Sequence, residues 1–243
     1  GFPHVSMPGK WQRSALPGLK TSRTRQGSEA MGHVLPPAFY DRNVVEVAIE
    51  LLGKLLVSRT REGLAAGRIV EVEAYLSQRD KACHASRGQT PGNAAMFGNP
   101  GTAYVYPIHS RCCFNAVTQP EGEPSAVLVR AIEPCRGEAL MKRRRGAVPE
   151  MDPARGPGRL CEALGIGRDR NKHNLTSGRG LWIEQNPGMR FSEAIYCSPR
   201  IGVTRAQDRY LRFFLLENRY VSGPRRPPRK RRVKYQIPAR GVE

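Results

Sequence analysis

The segment RIVEVEAY, residues 68–75, alternates apolar and polar side chains with the period of two that is typical of a β-strand. Such a strand directs Val70, Val72 and Ala74 to one face of a sheet. Its other face carries Ile69, Glu71, Glu73 and Tyr75. The simplest interpretation is a half-solvated strand, with the core on one side and the two carboxylates in water on the other.

Seven further segments have the composition of strands. They are residues 54–60, 102–108, 112–119, 125–134, 180–185, 200–205 and 211–216. Residues 61–67 are predicted to form a turn before the strand, and His109–Arg111 form the tip of a hairpin. Because short turns join neighbouring strands, we expect a mixed α/β fold on a curved, mostly antiparallel sheet rather than a doubly wound one.

Helices are predicted to surround this sheet, and their ends carry recognisable residues. Asn43 is a suitable N-cap for the first helix, and Gly53 suits the position after its end. Pro157 and Gly165 open and close the last one in the same way. The predicted helical segments are residues 36–53, 138–146 and 156–167.

A single domain, residues 34–219, is predicted between two tails. Residues 1–33 are rich in Gly, Pro, Ser, Lys and Arg without any period, so we expect a disordered basic extension. Residues 220–243 are expected to be a flexible basic tail, because residues 225–234 hold seven bases and no acid.

The charge balance restricts the class of partner. The 243-residue chain has 40 Lys and Arg against 21 Asp and Glu, a net charge of +19, which favours polyanions: DNA, RNA or an anionic membrane surface. No apolar run reaches the roughly 20 residues of a membrane span. No secretory signal is recognised either, so we expect a soluble, intracellular protein.

The six cysteines do not predict a metal site. None forms a C-x-x-C pair, and the adjacent Cys112 and Cys113 would face opposite sides of a strand. A disulfide framework is not expected inside a cell. We therefore interpret the cysteines as small buried residues.

The two glutamates allow three chemical interpretations. Side chains two residues apart on one strand face are about 6.5–7 Å apart, so Glu71 and Glu73 could be the acid and base of a glycosidase. They could also bind a metal, or one could work while the other supports it. Arg130 lies within the apolar run SAVLVRAI and requires a carboxylate partner, for which Glu71 and Glu73 are the candidates. The alternative is a purely structural ion pair.

A longer pattern distinguishes among these interpretations. The segments RIVEVEAY, QTPGNAAMF, GTAYVY, FNAVT, VLVRAIEP and GPGRLCEALGI follow one another in this order, with His84 between the first two. This string resembles the alkyladenine (3-methyladenine) DNA glycosylase family over about residues 34–219. The resemblance implies an enzyme that flips a damaged purine nucleotide out of duplex DNA into a pocket.

The resemblance also implies roles for the central residues. Glu73 matches the glutamate that activates a water for attack on the sugar C1′, and Glu71 becomes a supporting carboxylate. Arg130 and the backbone carbonyl of Ile201 match groups that hold this water. No lysine matches a Schiff-base nucleophile, so no lyase activity is implied. No metal or organic cofactor is implied.

The implied base pocket has aromatic walls, which accept many purines by stacking. Tyr75, Tyr106 and His84 match these walls, Asn115 matches the residue that tests the purine edge, and Leu128 matches a lining residue. The implied substrates are 3-methyladenine, 7-methylguanine, hypoxanthine and ethenoadenine.

The hairpin tip departs from the family pattern. Many members carry a tyrosine there, followed by Gly-Met, that wedges into the duplex, whereas this chain reads PIHSRCCFN and is one residue shorter. His109 or Arg111 would have to be the wedge. Arg155 and Arg159, near a predicted helix N-terminus, are expected to contact phosphate, and the 225–234 tail would add salt-sensitive affinity.

We therefore predict a monomeric, monofunctional glycosylase that acts on double-stranded DNA, in the cytoplasm or nucleoid of a bacterium or the nucleus of a eukaryote. Two alternatives belong to other classes. One is a catalytically silent DNA-binding relative, which the presence of Glu73 disfavours. The other is a carboxylate-pair sugar hydrolase, which the basic charge disfavours.

Overall fold

An antiparallel sheet organises the part of the chain that the computed structural model describes, residues 32–77, 79–146, 153–187 and 193–223. Its eight strands run in the order β3-β4-β5-β2-β1-β6, while β8 pairs with β2 and β7 pairs with β8. The strands are β1 (Leu55–Thr60), β2 (Gly63–Tyr75), β3 (Ala103–Ile108), β4 (Arg111–Thr118), β5 (Ser125–Arg136), β6 (Leu181–Glu184), β7 (Ile195–Ser198) and β8 (Arg212–Leu215). The predicted mixed α/β fold on an antiparallel sheet is confirmed.

Strand β2 is the centre of the sheet because it pairs with β5 from Ala66 to Tyr75 and changes partner on its other edge. Residues 63–68 pair with β1, whereas residues 71–73 pair with β8. Register shifts between Ile69 and Val72 mark bulges in the pairing with β5. Bulges bend a strand and increase its twist, so the sheet curls into a half-barrel around the second half of β2.

The simplest interpretation of β2, a strand with one face in water, is wrong. Glu71 and Glu73 have 0% exposure, as do Val70, Val72 and Ala74 on the other face. Strands β5 and β8, on either edge of β2, supply arginines that face the acids, which is why a charged face can be buried here.

In the part of the chain that the structure describes, four α-helices pack around the sheet: α1 (Pro37–Tyr40), α2 (Val44–Leu51), α3 (Glu138–Arg145) and α4 (Pro157–Leu164). The predicted helix 36–53 is two helices, because the Asn43 side chain accepts a hydrogen bond from the Val45 N–H and starts a new one. Gly53 lies just after the end of α2 with φ of 87°, and Gly165 is the C-cap of α4 with φ of 65°. These cap predictions are confirmed.

Two predicted strand boundaries are wrong. The predicted turn over residues 61–67 is confined to Arg61 and Glu62, because β2 already begins at Gly63. Residues 200–205 are a loop rather than a strand, since the Arg200 side chain turns inward to a buried partner, Asp80. The strand of this region is β7, which sequence reasoning missed.

The packed part of the chain continues past residue 219, the predicted end of the domain. Tyr220, Val221 and Ser222 are buried, and the Ser222 N–H donates to Glu71. Residues 1–31 and 224–243, which include most of both predicted tails, lie outside the described residues. Within the described ranges, every helix is too short or too polar to traverse a bilayer.

Candidate active site

A cavity of about 750 Å³ opens beside the second half of β2, within the size range of small-molecule sites. Strands β2 to β5 form its floor and wall, and two loops form its rim. The residues that line it include Tyr75, His84, Tyr104, Tyr106, Asn115, Leu128 and Arg130. The curled sheet thus brings together residues that are far apart in the sequence.

Glu73 lies directly behind this cavity, among three residues that line it. Its Oε1 accepts the Ile201 N–H at 2.7 Å and is 3.3 Å from Arg130 Nη1. Its Oε2 accepts the Tyr75 hydroxyl at 2.9 Å. Burial raises the pKa of Glu73, while Arg130, the Ile201 N–H and Tyr75 oppose that rise. The net effect is a pKa above the ordinary glutamate value.

Glu71 has a different environment two residues away. Its Oε1 accepts hydrogen bonds from Arg130 Nε at 2.9 Å and Arg212 Nε at 2.7 Å. Its Oε2 accepts the Ser222 N–H at 2.6 Å. Three donors from β5, β8 and the segment after β8 therefore fix this carboxylate, and it ties those elements to β2.

Arg130 was predicted to pair with one of the two glutamates, and it contacts both. Arg212 was not singled out, although it lies in the apolar run LRFFLL as Arg130 lies in SAVLVRAI. A lone arginine within an apolar strand is the signal that could have identified it. Arg212 is almost fully buried, and it also donates to the Ser222 carbonyl.

Aromatic rings form the walls of the cavity. The His84 and Tyr106 ring centroids are 4.6 Å apart, with their planes at 72°. His84 begins a 3₁₀ turn (His84–Arg87) at the rim, and its Nδ1 is 2.8 Å from the Tyr104 hydroxyl. Desolvation by the surrounding protein lowers the pKa of His84, so the imidazole is neutral near pH 7. Tyr75 completes the aromatic set from β2.

Asn115, Leu128 and Glu73 occupy one row across β4, β5 and β2. Asn115 pairs with Leu128, and Leu128 pairs with Glu73. Directly paired residues on neighbouring strands point to the same face, so their side chains share the cavity side. The Asn115 amide donates to the Tyr104 carbonyl at 3.0 Å, which fixes its orientation.

Ile201 was predicted to act through its backbone carbonyl, and the structure brings its N–H to Glu73 instead. The role of the carbonyl stays a prediction. Ile201 follows Arg200 in the loop between β7 and β8, a loop that lines the rim. This loop, misread as a strand, is therefore part of the site.

The β3–β4 hairpin ends in a two-residue turn, His109–Ser110, with His109 at φ of 52°. Arg111 lies with its Nε 3.4 Å from a Glu162 carboxylate oxygen on α4. Among the described residues, the one large apolar side chain that is exposed is Ile108, at 46%. Sequence reasoning missed it, although an apolar residue directly before a polar turn was the available signal.

Cations surround the mouth of the cavity. Lys81, Arg87 and Arg205 line the rim and are exposed. None of them forms an ion pair with an acid of the described residues, and sequence reasoning named none of them. Of the two predicted phosphate contacts, Arg159 is exposed on α4, and Arg155 donates to the Val221 carbonyl at 2.8 Å.

Comparison with known proteins gives a consistent result. A profile of the family described as Methylpurine-DNA glycosylase (MPG) matches residues 38–219. A protein of Methanoculleus marisnigri is 50% identical over 191 residues, 77% of this chain and 98% of that protein. A protein of Methanocella arvoryzae is 47% identical over 181 residues, which cover 74% of this chain and 89% of that protein. A protein of Prosthecochloris aestuarii is 41% identical over 207 residues, which cover 84% of this chain and 98% of that protein. All three carry the provisional name 3-methyladenine DNA glycosylase.

Proposed function

This chain belongs to the methylpurine-DNA glycosylase family, and on that premise we propose that it excises alkylated and deaminated purines from duplex DNA with a water activated by Glu73. Family membership makes it a hydrolase-type N-glycosylase of base excision repair. The proposed substrates are 3-methyladenine, which its relatives' names mention, and 7-methylguanine, hypoxanthine and ethenoadenine.

The observation that carries this proposal is the arrangement of donors around Glu73. Oε1 accepts the Ile201 N–H and forms an ion pair with Arg130, whereas Oε2 accepts the Tyr75 hydroxyl and has capacity for a second hydrogen bond. We assign the attacking water to Oε2. Arg130 and the Ile201 N–H favour the ionised carboxylate, which is the form that can accept a proton.

The reaction follows from this placement. The glycosidic bond between C1′ and the purine nitrogen breaks, and the purine leaves with the bonding electron pair. The water oxygen bonds to C1′, while Glu73 accepts the proton of the water. The sugar becomes positively charged as the base departs, so the buried negative charge of Glu73 stabilises it. A cationic lesion such as 3-methyladenine leaves readily, whereas hypoxanthine, a neutral base, must also be protonated as it leaves.

The flipped base is proposed to stack between Tyr75 on one side and Tyr106 with His84 on the other. Cationic purines gain further from cation–π attraction to these rings. Leu128 would contact the base from the floor. Asn115, whose amide is fixed by the Tyr104 carbonyl, would face the purine edge, where the 2-amino group of normal guanine would collide with it.

The duplex is proposed to lie across the rim, with the hairpin inserted where the nucleotide leaves. Because Arg111 contacts Glu162, we favour the exposed Ile108 beside His109 as the wedge that fills the gap. The rim cations (Lys81, Arg87 and Arg205) are placed for phosphate contacts, and Arg155 and Arg159 are retained as weaker candidates.

The remaining expectations follow from the same site. Action as a monomer stays a prediction from the sequence. A glycosylase must share a compartment with DNA, so we propose the nucleoid of a bacterium or the nucleus of a eukaryote. The carboxylate-pair sugar hydrolase is disfavoured, because three donors already bind Glu71.

The test uses duplexes that contain a single hypoxanthine or ethenoadenine, followed by alkali and detection of a cut at the lesion. Methylated DNA, assayed for released 3-methyladenine, extends the test to a narrower substrate range. We expect the damaged base to be released, and the DNA strand to be cut only after the alkali treatment. Binding of lesion DNA without release from any substrate would instead support the catalytically silent relative.

A further inference from the structure

Arg200 and Asp80 form an ion pair that is fully buried at the back of the active site. Arg200 Nη1 lies 2.5 Å from Asp80 Oδ2, and Nη2 lies 2.8 Å from Oδ1, so the guanidinium binds both carboxylate oxygens. Both side chains have 0% exposure. Burial raises the pKa of Asp80, but Arg200 and two backbone N–H groups outweigh it and keep the carboxylate charged.

This pair connects both sides of the cavity. Asp80 accepts the N–H groups of Leu76 and Ala82, which fixes the loop that leaves β2. Arg200 also donates to the Ala74 carbonyl at 3.0 Å. Its Cζ lies 4.6 Å from the centre of the Tyr75 ring, so the guanidinium covers one face of that ring.

The pair also determines where the next residue lies. Ile201 follows Arg200 directly and donates its N–H to Glu73 Oε1 at 2.7 Å. A residue adjacent to a clamped side chain has little freedom to move, so the Arg200 contacts hold this N–H in place. The same guanidinium restricts the Tyr75 ring, whose hydroxyl donates to the other oxygen of Glu73.

We propose that Arg200 and Asp80 are a positioning pair that holds two of the hydrogen-bond donors of Glu73, the Ile201 N–H and the Tyr75 hydroxyl, in their catalytic geometry. The proposal rests on the proposed function, in which Glu73 is the base. Neither side chain is among those that line the cavity. Their effect passes through Glu73, and through the single face of Tyr75 that the guanidinium leaves open to a base.

The test variant is Arg200→Lys, which keeps the positive charge but loses the two-pronged contact and the cover over Tyr75. The chain offers a matched control, since Arg42 binds both carboxylate oxygens of Glu50 at 3.0 Å and lies 5.0 Å over the Phe39 ring. Arg42→Lys removes the same kind of contact away from the residues that line the cavity.

The measurement is the single-turnover excision rate across pH, together with lesion-DNA affinity and unfolding by denaturant. The charged groups and hydroxyl or thiol groups that face Glu73 are Glu71, Tyr75, Tyr106, Cys113, Arg130 and Arg200. Arg200→Lys leaves all these charges in place. A shift in the pH profile therefore reports the lost donor geometry.

For Arg200→Lys we expect the acidic limb of the rate profile to move up by about one pH unit, the effect of losing a hydrogen bond to a charged group. At pH values below the pKa of Glu73, the excision rate then falls about tenfold. Lesion-DNA affinity is expected to stay within about twofold, because neither side chain lines the cavity. Arg42→Lys should leave the limb, the rate and the affinity unchanged.

Asp80→Asn is the second variant, because it is nearly isosteric and can still accept one of the loop N–H groups. We expect it to lower the maximal rate, with lesion-DNA affinity retained. An unmoved limb and a wild-type rate in Arg200→Lys would overturn the proposal, as would equal losses in Arg42→Lys. The proposed function fails separately, if Glu73→Gln still releases bases.

Discussion

Glu71 and Glu73 lie two residues apart on one strand with equal burial, but their surroundings differ in kind. The Glu71 region is closed, since donors from β5, β8 and residue 222 bind both carboxylate oxygens. The Glu73 region opens through its donors onto the cavity. Burial alone therefore does not distinguish the carboxylate that we propose as the base from the one that we propose as structural, whereas the positions of the donors do.

The largest effect is expected from Glu73→Gln. The amide cannot take a proton from water at neutral pH or supply the negative charge, so the excision rate should fall by about 10³-fold or more. Lesion-DNA affinity should stay near that of the unsubstituted protein, because the base still meets the same aromatic walls. Single-turnover release from a hypoxanthine duplex measures the first, and titration with uncleaved lesion DNA measures the second.

Glu71→Gln should have the opposite effect. We expect it to lower the stability of the fold more than it affects the proposed proton transfer. It removes the Glu71 carboxylate from both Arg212 and Arg130, two buried guanidinium groups, so we expect the free energy of unfolding to fall by about 3 kcal/mol. Denaturant unfolding at fixed pH measures this. If Glu71→Gln folds normally and is inactive while Glu73→Gln is active, the two roles must be exchanged.

How much of this contrast the sequence could predict depends on the distance of each contact along the chain. The hairpin and the ends of α4 follow from local residues, namely the turn at His109 and the caps Pro157 and Gly165. The closed network around Glu71 does not, because Arg212 and Ser222 lie 141 and 151 residues away. No periodicity in RIVEVEAY records those partners.

The misread loop at residues 200–205 has the same physical origin. Its β-branched and apolar residues resemble a strand, but the contact of Arg200 with Asp80, 120 residues away, determines its course. Ile201 was selected through family resemblance, and the contact of its N–H with Glu73 became visible only in the fold. Local preference predicted most elements here, and tertiary ion pairs overrode it at the site.

A smaller change sharpens the contrast by acting on Glu73 alone. Tyr75→Phe keeps the stacking ring but removes a donor that lowers the pKa of Glu73. Glu73 must be ionised to act as a base, so the excision rate falls as pH drops through its raised pKa. We expect the variant to move this acidic limb to higher pH by about one unit.

Rate profiles across pH measure this shift, and Tyr40→Phe is the control. The Tyr40 hydroxyl is buried without a hydrogen-bond partner among the described residues, so its removal should leave the acidic limb in place. A Tyr75→Phe profile that coincides with that of the unsubstituted protein would indicate that the hydroxyl does not tune Glu73.

The hairpin extends the open region toward DNA, and Ile108→Ala tests that extension. Inserting its exposed half into the duplex removes apolar surface worth about 1 kcal/mol, so lesion-DNA affinity should fall about fivefold. Stability should not change, because the side chain is 46% exposed. Fluorescence titration compares this variant with His109→Ala, and a larger loss in His109→Ala would identify the histidine as the wedge.

The smallest effects are expected at the rim, where Lys81, Arg87 and Arg205 face solvent. Each phosphate contact contributes about 0.9 to the slope of log affinity against log salt, so each alanine variant should reduce that slope by about one. Arg42→Ala is the control, since Arg42 already pairs with Glu50 away from the cavity. The maximal excision rate should stay constant in all of them, because rim charges bind DNA without reaching Glu73. A rim variant that lowers this rate at saturating DNA would show that the open region is coupled to the carboxylate, and that phosphate contacts help to bring the nucleotide into the cavity.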